Sequence, residues 1–184
     1  LAQLTQHCEV CQRCELSQGR RHAVVSRGNP AADIAIIGEA PGFAADAKGE
    51  PFVGRSGQLL DRMFAAIGLD REDIYVTNML FWRPPKNRDP SETDIQACLA
   101  FVRRHIALAQ PSLLVLAGKS AAQTLLGTNE GIMRLRGKWG EYRPAEGEAV
   151  PALPMLHPAF LLRKPDFKRQ TWRDLLSLRE RLDD

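Results

Sequence analysis

No run of apolar residues in this chain approaches the ~20 that a membrane-spanning helix needs. No basic start is followed by an apolar stretch and a small-residue cleavage site, so the expected compartment is the cytosol. Internal repeats and low-complexity tracts are absent as well. Hydrophobic residues make up 44% and charged residues 26%, which excludes a disordered, collagen-like or coiled-coil chain. Cysteines number only four in 184 residues. A chain of this size buries about 70% of its unfolded surface and needs no disulfide framework. One domain over residues 1–184 is expected, with a Cys-rich segment at 1–24 packing on it. The formal net charge of +3 is too small to argue for nucleic acid by itself. Placement argues more. Arg83, Lys86 and Arg88 share one short loop, Arg134, Arg136 and Lys138 a second, and Arg163, Lys164, Lys168, Arg169 and Arg173 a third.

Near-continuous apolar runs at 33–38, 74–78 and 113–117 read as strands buried on both faces of a parallel sheet. A fourth run at 152–156 contains Pro154, which cannot donate to a ladder and suggests an edge. Helical patterns at 56–67, 93–109, 120–126 and 170–182 alternate with these runs. Ser56 stands as N-cap of the first helix and Gly68 as its stop. Such alternation implies βαβ units. The expected fold is α/β: a single-domain three-layer α/β/α sandwich with a central, mostly parallel four-stranded sheet. The segment 127–151 is rich in Gly and charge and reads as loops with room for short strands.

In open α/β sheets, ligands bind beyond the carboxyl ends of the strands. Those ends carry Glu39, Asn78, Ser120 and His157, which the fold would bring to one crevice. Two short motifs there carry less than their appearance. Gly118-Lys119-Ser120 has the tail of a phosphate loop, but Leu113 stands where the loop's first Gly belongs. At most it presents a helix N-terminus to one anion, such as a DNA phosphate. Gly54-Arg55-Ser56-Gly57 lacks the final Gly of a hydrolase elbow, that place being Gln58. Cys8, Cys11 and Cys14 follow Cys-x2-Cys-x2-Cys spacing on a hydrophilic segment, where burial in a core explains little. With Cys98 they offer four thiols to an iron–sulfur cluster or to zinc, with metal-free thiols the third alternative. Among the four histidines, His105 neighbours Arg103 and Arg104 and reads as a surface residue. His157 differs from His7 and His22 in closing a strand at the ligand edge.

Six segments in register resemble the family 4 uracil-DNA glycosylases, the iron–sulfur type. They are Gly38-Glu39-Ala40-Pro41-Gly42, the stretch 49–60, Tyr75-Val76-Thr77-Asn78, the stretch 83–88, Leu135-Arg136-Gly137-Lys138-Trp139, and the stretch 157–163. The resemblance implies a monofunctional enzyme that flips uracil out of DNA and hydrolyses its N-glycosidic bond. It implies that Phe52 stacks on uracil, that Asn78 reads its O4 and N3 edge, and that His157 donates to O2 of the departing base. Ala40 and Gly42 would line the pocket. Leu161, Leu162 and Arg163 would enter the duplex, with Ser120, Arg136 and Lys138 on phosphates. Partners would be uracil-containing DNA and no membrane, with the enzyme a monomer at the bacterial nucleoid.

Three positions depart from, or complicate, the family's pattern, the first of them an Ala that family 4 shares. Ala40 stands where the wider superfamily carries a water-orienting Asp, which leaves Glu39 and Asp46 as the nearby carboxylates. Ala45 replaces a frequent Glu. Trp82 replaces one of four cluster cysteines, so a 4Fe–4S cluster would need Cys8 beside Cys11, Cys14 and Cys98. Zinc or no metal are the alternatives. Two further readings of function stand beside excision: a non-catalytic protein that holds uracil or abasic DNA, and a polymerase-associated DNA-binding module. Covalent trapping of DNA would need a basic insertion with a His after the second strand. The segment 79–89 has neither.

Overall fold

Strands with no polar position along them must be covered on both faces, and here they are. The computed structural model describes residues 1–183. Its helices are α1 (Ala2–Val10), α2 (Phe43–Lys48), α3 (Arg55–Ala65), α4 (Glu92–Ala109), α5 (Lys119–Leu126), α6 (Ile132–Leu135), α7 (Pro158–Arg163) and α8 (Lys168–Asp183). The strands are β1 (Ser26–Gly28), β2 (Ile34–Gly38), β3 (Ile74–Asn78), β4 (Leu113–Ala117), β5 (Gly140–Tyr142) and β6 (Val150–Met155). Every residue of β2, β3 and β4 is buried. Side chains alternate between faces. Ile34 and Ile36 pack with Leu60 and Phe64 of α3 and Leu175 and Leu178 of α8. Ala35 and Ile37 pack with Leu99, Val102 and Ile106 of α4 and with Leu125 of α5. This gives the three-layer α/β/α arrangement. Cys8 of α1 and Leu16 join the second layer against α4.

The sheet has six strands rather than the expected four, in the order β1-β3-β2-β4-β6-β5. Its central four are the strands legible in the sequence, and they are mutually parallel. Antiparallel β1 and β5 form the edges. Each is three residues long, too short to show a period of two. Pro154 does not mark an edge, because β6 pairs with both β4 and β5. The pairing with β5 ends at Ala152, however. Beyond it the Pro154 carbonyl accepts from the Gly137 N–H at 2.9 Å. The N–H that Pro154 lacks would face that same side, past the end of β5, where no ladder requires a donor.

Local chemistry sets the helix ends. Ser91 caps α4 with Asp94 in a reciprocal capping box. The N-cap of α3 is Gly54, not Ser56, which lies one residue inside the helix. His105 is not a surface residue either. It is 1% exposed, with Nδ1 3.1 Å from the Tyr75 hydroxyl. Successive helical residues point about 100° apart, so exposed neighbours at 103 and 104 say little about residue 105.

Arg136 is also corrected. Its guanidinium forks onto the buried Asp174 carboxylate through Nε, at 2.9 Å, and Nη2, and the same Nη2 donates to the Gln170 carbonyl. The pair ties the loop after α6 to α8, so Arg136 is not free for a phosphate. Gly137 leaves the room: a Cβ there would lie 2.4 Å from Asp174 Oδ1. Arg136→Met is expected to cost about 3 kcal/mol in urea unfolding, because it strands a buried carboxylate. A loss under about 1 kcal/mol would return Arg136 to the free cations.

Candidate active site

The parallel strands end at one edge of the sheet, and residues from three of them meet there. β2 closes on Gly38, β3 on Asn78, and β6 leads into His157, the N-cap of α7. The chain leaves Gly38, runs through α2, and returns at Phe52 with φ 55°. That left-handed conformation is uncommon away from glycine. It lays the Phe52 ring directly over Gly38. A Cβ on Gly38 would stand 2.4 Å from Asn78 Oδ1 and 2.5 Å from Phe52 Cζ. On Gly57 it would stand 1.7 Å from the Phe52 carbonyl oxygen. Both approaches exclude any larger residue.

The result is a cavity of about 160 Å³ walled by Ala40, Gly42, Phe52, Asn78 and His157, with Phe43 and Ser56 also lining it. Asn78 is 1% exposed, and its Oδ1 has no hydrogen-bond partner. Leaving such an atom unpaired costs about 1–3 kcal/mol, which a ligand offering a donor would recover. The His157 ring centroid lies 5.6 Å from that of Phe52, with the planes 31° apart. His157 Nδ1 accepts from the Ala159 N–H at 3.1 Å. The proton of the neutral ring therefore sits on Nε2. Burial, and secondarily the Arg163 charge, push the His157 pKa down to about 4. The helix N-terminus that His157 caps also disfavours an imidazolium. At neutral pH this ring is a neutral donor.

Other candidates fall elsewhere. Ser120 donates to Glu39 Oε2 at 2.7 Å, and both line a separate groove between α4 and α5. Asp46 is 4% exposed and accepts from the Arg21 backbone N–H at 3.0 Å. Neither carboxylate lines the cavity, and among the described residues no other carboxylate does. Leu161 is 1% exposed and packs with Leu59 and Leu156, so it is core rather than a wedge. Its neighbours on α7 are half-buried Leu162 and exposed Arg163, and Lys138 is exposed too. Sequence reasoning missed Phe43, the aromatic that follows Gly42 and opens α2.

Cys8 and Cys98 are fully buried, and Cys11 and Cys14 pack against the same cluster. Burial is the main force pushing the Cys8 and Cys98 thiols up to about 12. Negative charge on Cys14, Cys8 or Cys11 adds to the effect at Cys98. Among the described residues no three ligand-type side chains already stand as a metal-binding group. Trp82 lies in that cluster, fully buried, under the Arg20 guanidinium at 5.3 Å.

The sequence model of the uracil DNA glycosylase superfamily matches residues 25–176, which hold the whole cavity. This chain belongs to that superfamily. A type-4 uracil-DNA glycosylase of Archaeoglobus fulgidus is 37% identical over 174 residues, covering 92% of this chain and 87% of that protein. One of Saccharolobus solfataricus is 38% identical over 180 residues, covering 94% and 82%. Within the superfamily the chain thus belongs to the type-4 branch. A DNA polymerase of Bacillus phage SP01 is 28% identical over 150 residues, which are 81% of this chain but 16% of the polymerase.

The histidines give this superfamily member a defined acid response. His105, like His157, is pushed down to about 4, chiefly by burial. Their ordinary value is about 6.5. Between those values the unfolded chain binds protons that the folded chain refuses. Stability is then complete above about pH 6.5 and falls as pH drops toward 4. Urea unfolding at pH 5 should show a loss on the order of 1–2 kcal/mol per histidine relative to pH 7. The loss should be reduced in His105→Phe. Equal stability at the two pH values would contradict the neutral assignment.

Proposed function

We propose that the chain is a monofunctional uracil-DNA glycosylase, which hydrolyses the N-glycosidic bond of uracil flipped out of DNA and leaves an abasic site. The observation that carries this reading is the unpaired, buried Asn78 amide oxygen in a cavity faced by Phe52 and His157. Uracil answers each wall. Its ring stacks on Phe52. Its N3–H donates to Asn78 Oδ1 while its O4 accepts from the same amide. Its O2 accepts from His157 Nε2–H.

Bond cleavage sends the C1′–N1 electron pair into the base, and negative charge gathers at N1 and O2. The fixed His157 donor meets that charge without reorganising, an effect usually worth a few kcal/mol. The sugar is left as an oxocarbenium ion. Water captures it and loses a proton. Since no carboxylate lines the cavity, the reading supported is a dissociative one, in which water meets a preformed cation and needs no strong base. Leu162 and Arg163 project from the helix that His157 caps, so the group filling the emptied stack and the leaving-group donor move as one. Lys138 and Arg163 are the exposed cations suited to phosphates. No described helix is long and apolar enough to cross a membrane, which fits a place at the nucleoid in the cytoplasm.

The same reading gives Cys8, Cys11, Cys14 and Cys98 a 4Fe–4S cluster. The donor set fits: four free cysteines gather in one apolar cluster, and Trp82 among them has no ligand atom. A bound cluster would be structural, tying the N-terminal segment to α4 and holding thiols deprotonated that burial alone keeps neutral.

Uracil-containing and normal oligonucleotides, treated with protein and then alkali, test the reading. Cleavage is expected at uracil alone. His157→Ala should slow it by about 10²-fold or more while DNA binding persists. Absence of uracil-dependent breaks with wild-type protein would overturn the reading in favour of a binding module. Purified protein should be brown and contain iron and sulfide, and Cys8→Ser should lose both. Iron content unchanged in Cys8→Ser would remove Cys8 from the ligands.

A further inference from the structure

Phe43 opens α2 at the lip of the cavity and is 58% exposed. A single exposed aromatic is ordinary on a protein surface. This one has two cations over its ring. The Arg83 guanidinium carbon lies 5.1 Å from its ring centroid and that of Arg21 5.7 Å. Neither arginine forms an ion pair among the described residues. Both are nonetheless held in place. Arg83 Nε donates to Asn87 Oδ1 at 2.6 Å. The Arg21 backbone N–H donates to Asp46 Oδ1 at 3.0 Å, and His22 Nδ1 lies 2.8 Å from the Asp46 carbonyl oxygen. Asp46, which does not line the cavity, thereby fixes the loop that carries Arg21.

We propose that Phe43, Arg21 and Arg83 form a stacking platform for an unpaired nucleobase next to the target uridine, on the same strand, with the arginines on the flanking phosphates. The inference rests on the excision reading for where the uridine sits, and it assigns that site a preference for unpaired flanks. An exposed aromatic accepts any base, because every base has a π face. The guanidiniums that lie over the ring hold its faces by cation–π contact; an incoming base takes one face from them and leaves their charge for the backbone. In a duplex, the neighbouring base is stacked and paired and cannot reach the platform without further unstacking. In a single strand it is free to do so. Phe43 therefore contributes to binding of single strands far more than of duplex. Asp46 is a positioning residue for this platform.

Fluorescence anisotropy with a labelled, uracil-free oligo-dT and with its duplex tests the proposal without requiring excision. Phe43→Ala should weaken single-strand binding about tenfold, the loss usual for one stacked base. Duplex affinity should change less than twofold. Phe43→Trp should restore single-strand binding. Arg21→Ala and Arg83→Ala should each reduce the slope of log affinity against log salt by about 0.7 on single strands. Asp46→Asn keeps the acceptor oxygen and should bind as wild type, whereas Asp46→Ala should share the Arg21→Ala defect. Equal losses on both DNA forms, or no loss in Phe43→Ala, would overturn the platform. Because uracil is absent from the probe, these outcomes stand apart from whether uracil is excised.

Discussion

Phe52 occupies space that two absent side chains leave for it. Gly38 gives up its Cβ beneath the ring, and Gly57 gives up its Cβ against the carbonyl. Only then can Phe52 hold φ 55° and lay its ring against the end of β2, beside the last residue of β3. A non-glycine residue in that conformation costs on the order of 1–3 kcal/mol, which the surrounding packing has to offset. The proposed site depends on this compression. Without it the Asn78 amide would face a void, and the ring would not stand 5.6 Å from His157.

The electrostatics follow from the same burial. A cavity with no carboxylate and a histidine held near 4 contains no full charge at neutral pH. Its polar edges are an unpaired amide oxygen and an N–H whose direction the first turn of α7 fixes. Such a site gives little to a charged ligand. It favours a flat, neutral ring that offers donor and acceptor in the right order and becomes negative only as its bond breaks. Positive charge lies outside: Arg163 at the end of α7, Lys138 on an exposed loop, Arg21 and Arg83 at the lip. This separation lets backbone attraction and base recognition operate independently.

The central sheet was legible because β2 and β4 are apolar throughout and β3 is apolar up to Thr77 and Asn78 at its end. The edges were not, since three residues carry no periodicity. Phe52, Asn78 and His157 were legible through motifs in family order, and strand ends already placed two of them at one edge. Exposure and partners within a motif were not. Leu161 and Leu162 are adjacent and chemically identical, yet a 100° helical step sends the first into the core. Arg136 looked like its neighbour Lys138 until Asp174, from the distant α8, claimed it. Glu39 and Asp46 were chosen by nearness in sequence, and their hydrogen bonds to Ser120 and Arg21 turn both away from the cavity. Phe43 carries a sign of its own: a bulky apolar residue directly after Ala40-Pro41-Gly42, at the start of α2.

The central claim is that the buried amide of Asn78 chooses the base. Uracil presents N3–H and O4 to it, whereas cytosine presents an N3 acceptor and an amino donor. Asn78→Asp exchanges the amide donor for an acceptor at nearly constant shape, and cytosine then becomes the better match. The measurement is alkali-revealed excision by Asn78→Asp from two oligonucleotides, one with a single uracil and one with a single unmodified cytosine in an easily opened mismatch. The account predicts that most uracil excision is lost and that a low but measurable cytosine excision appears. Uracil selectivity unchanged in Asn78→Asp would contradict it and move recognition to the main chain around Gly38 and Gly42.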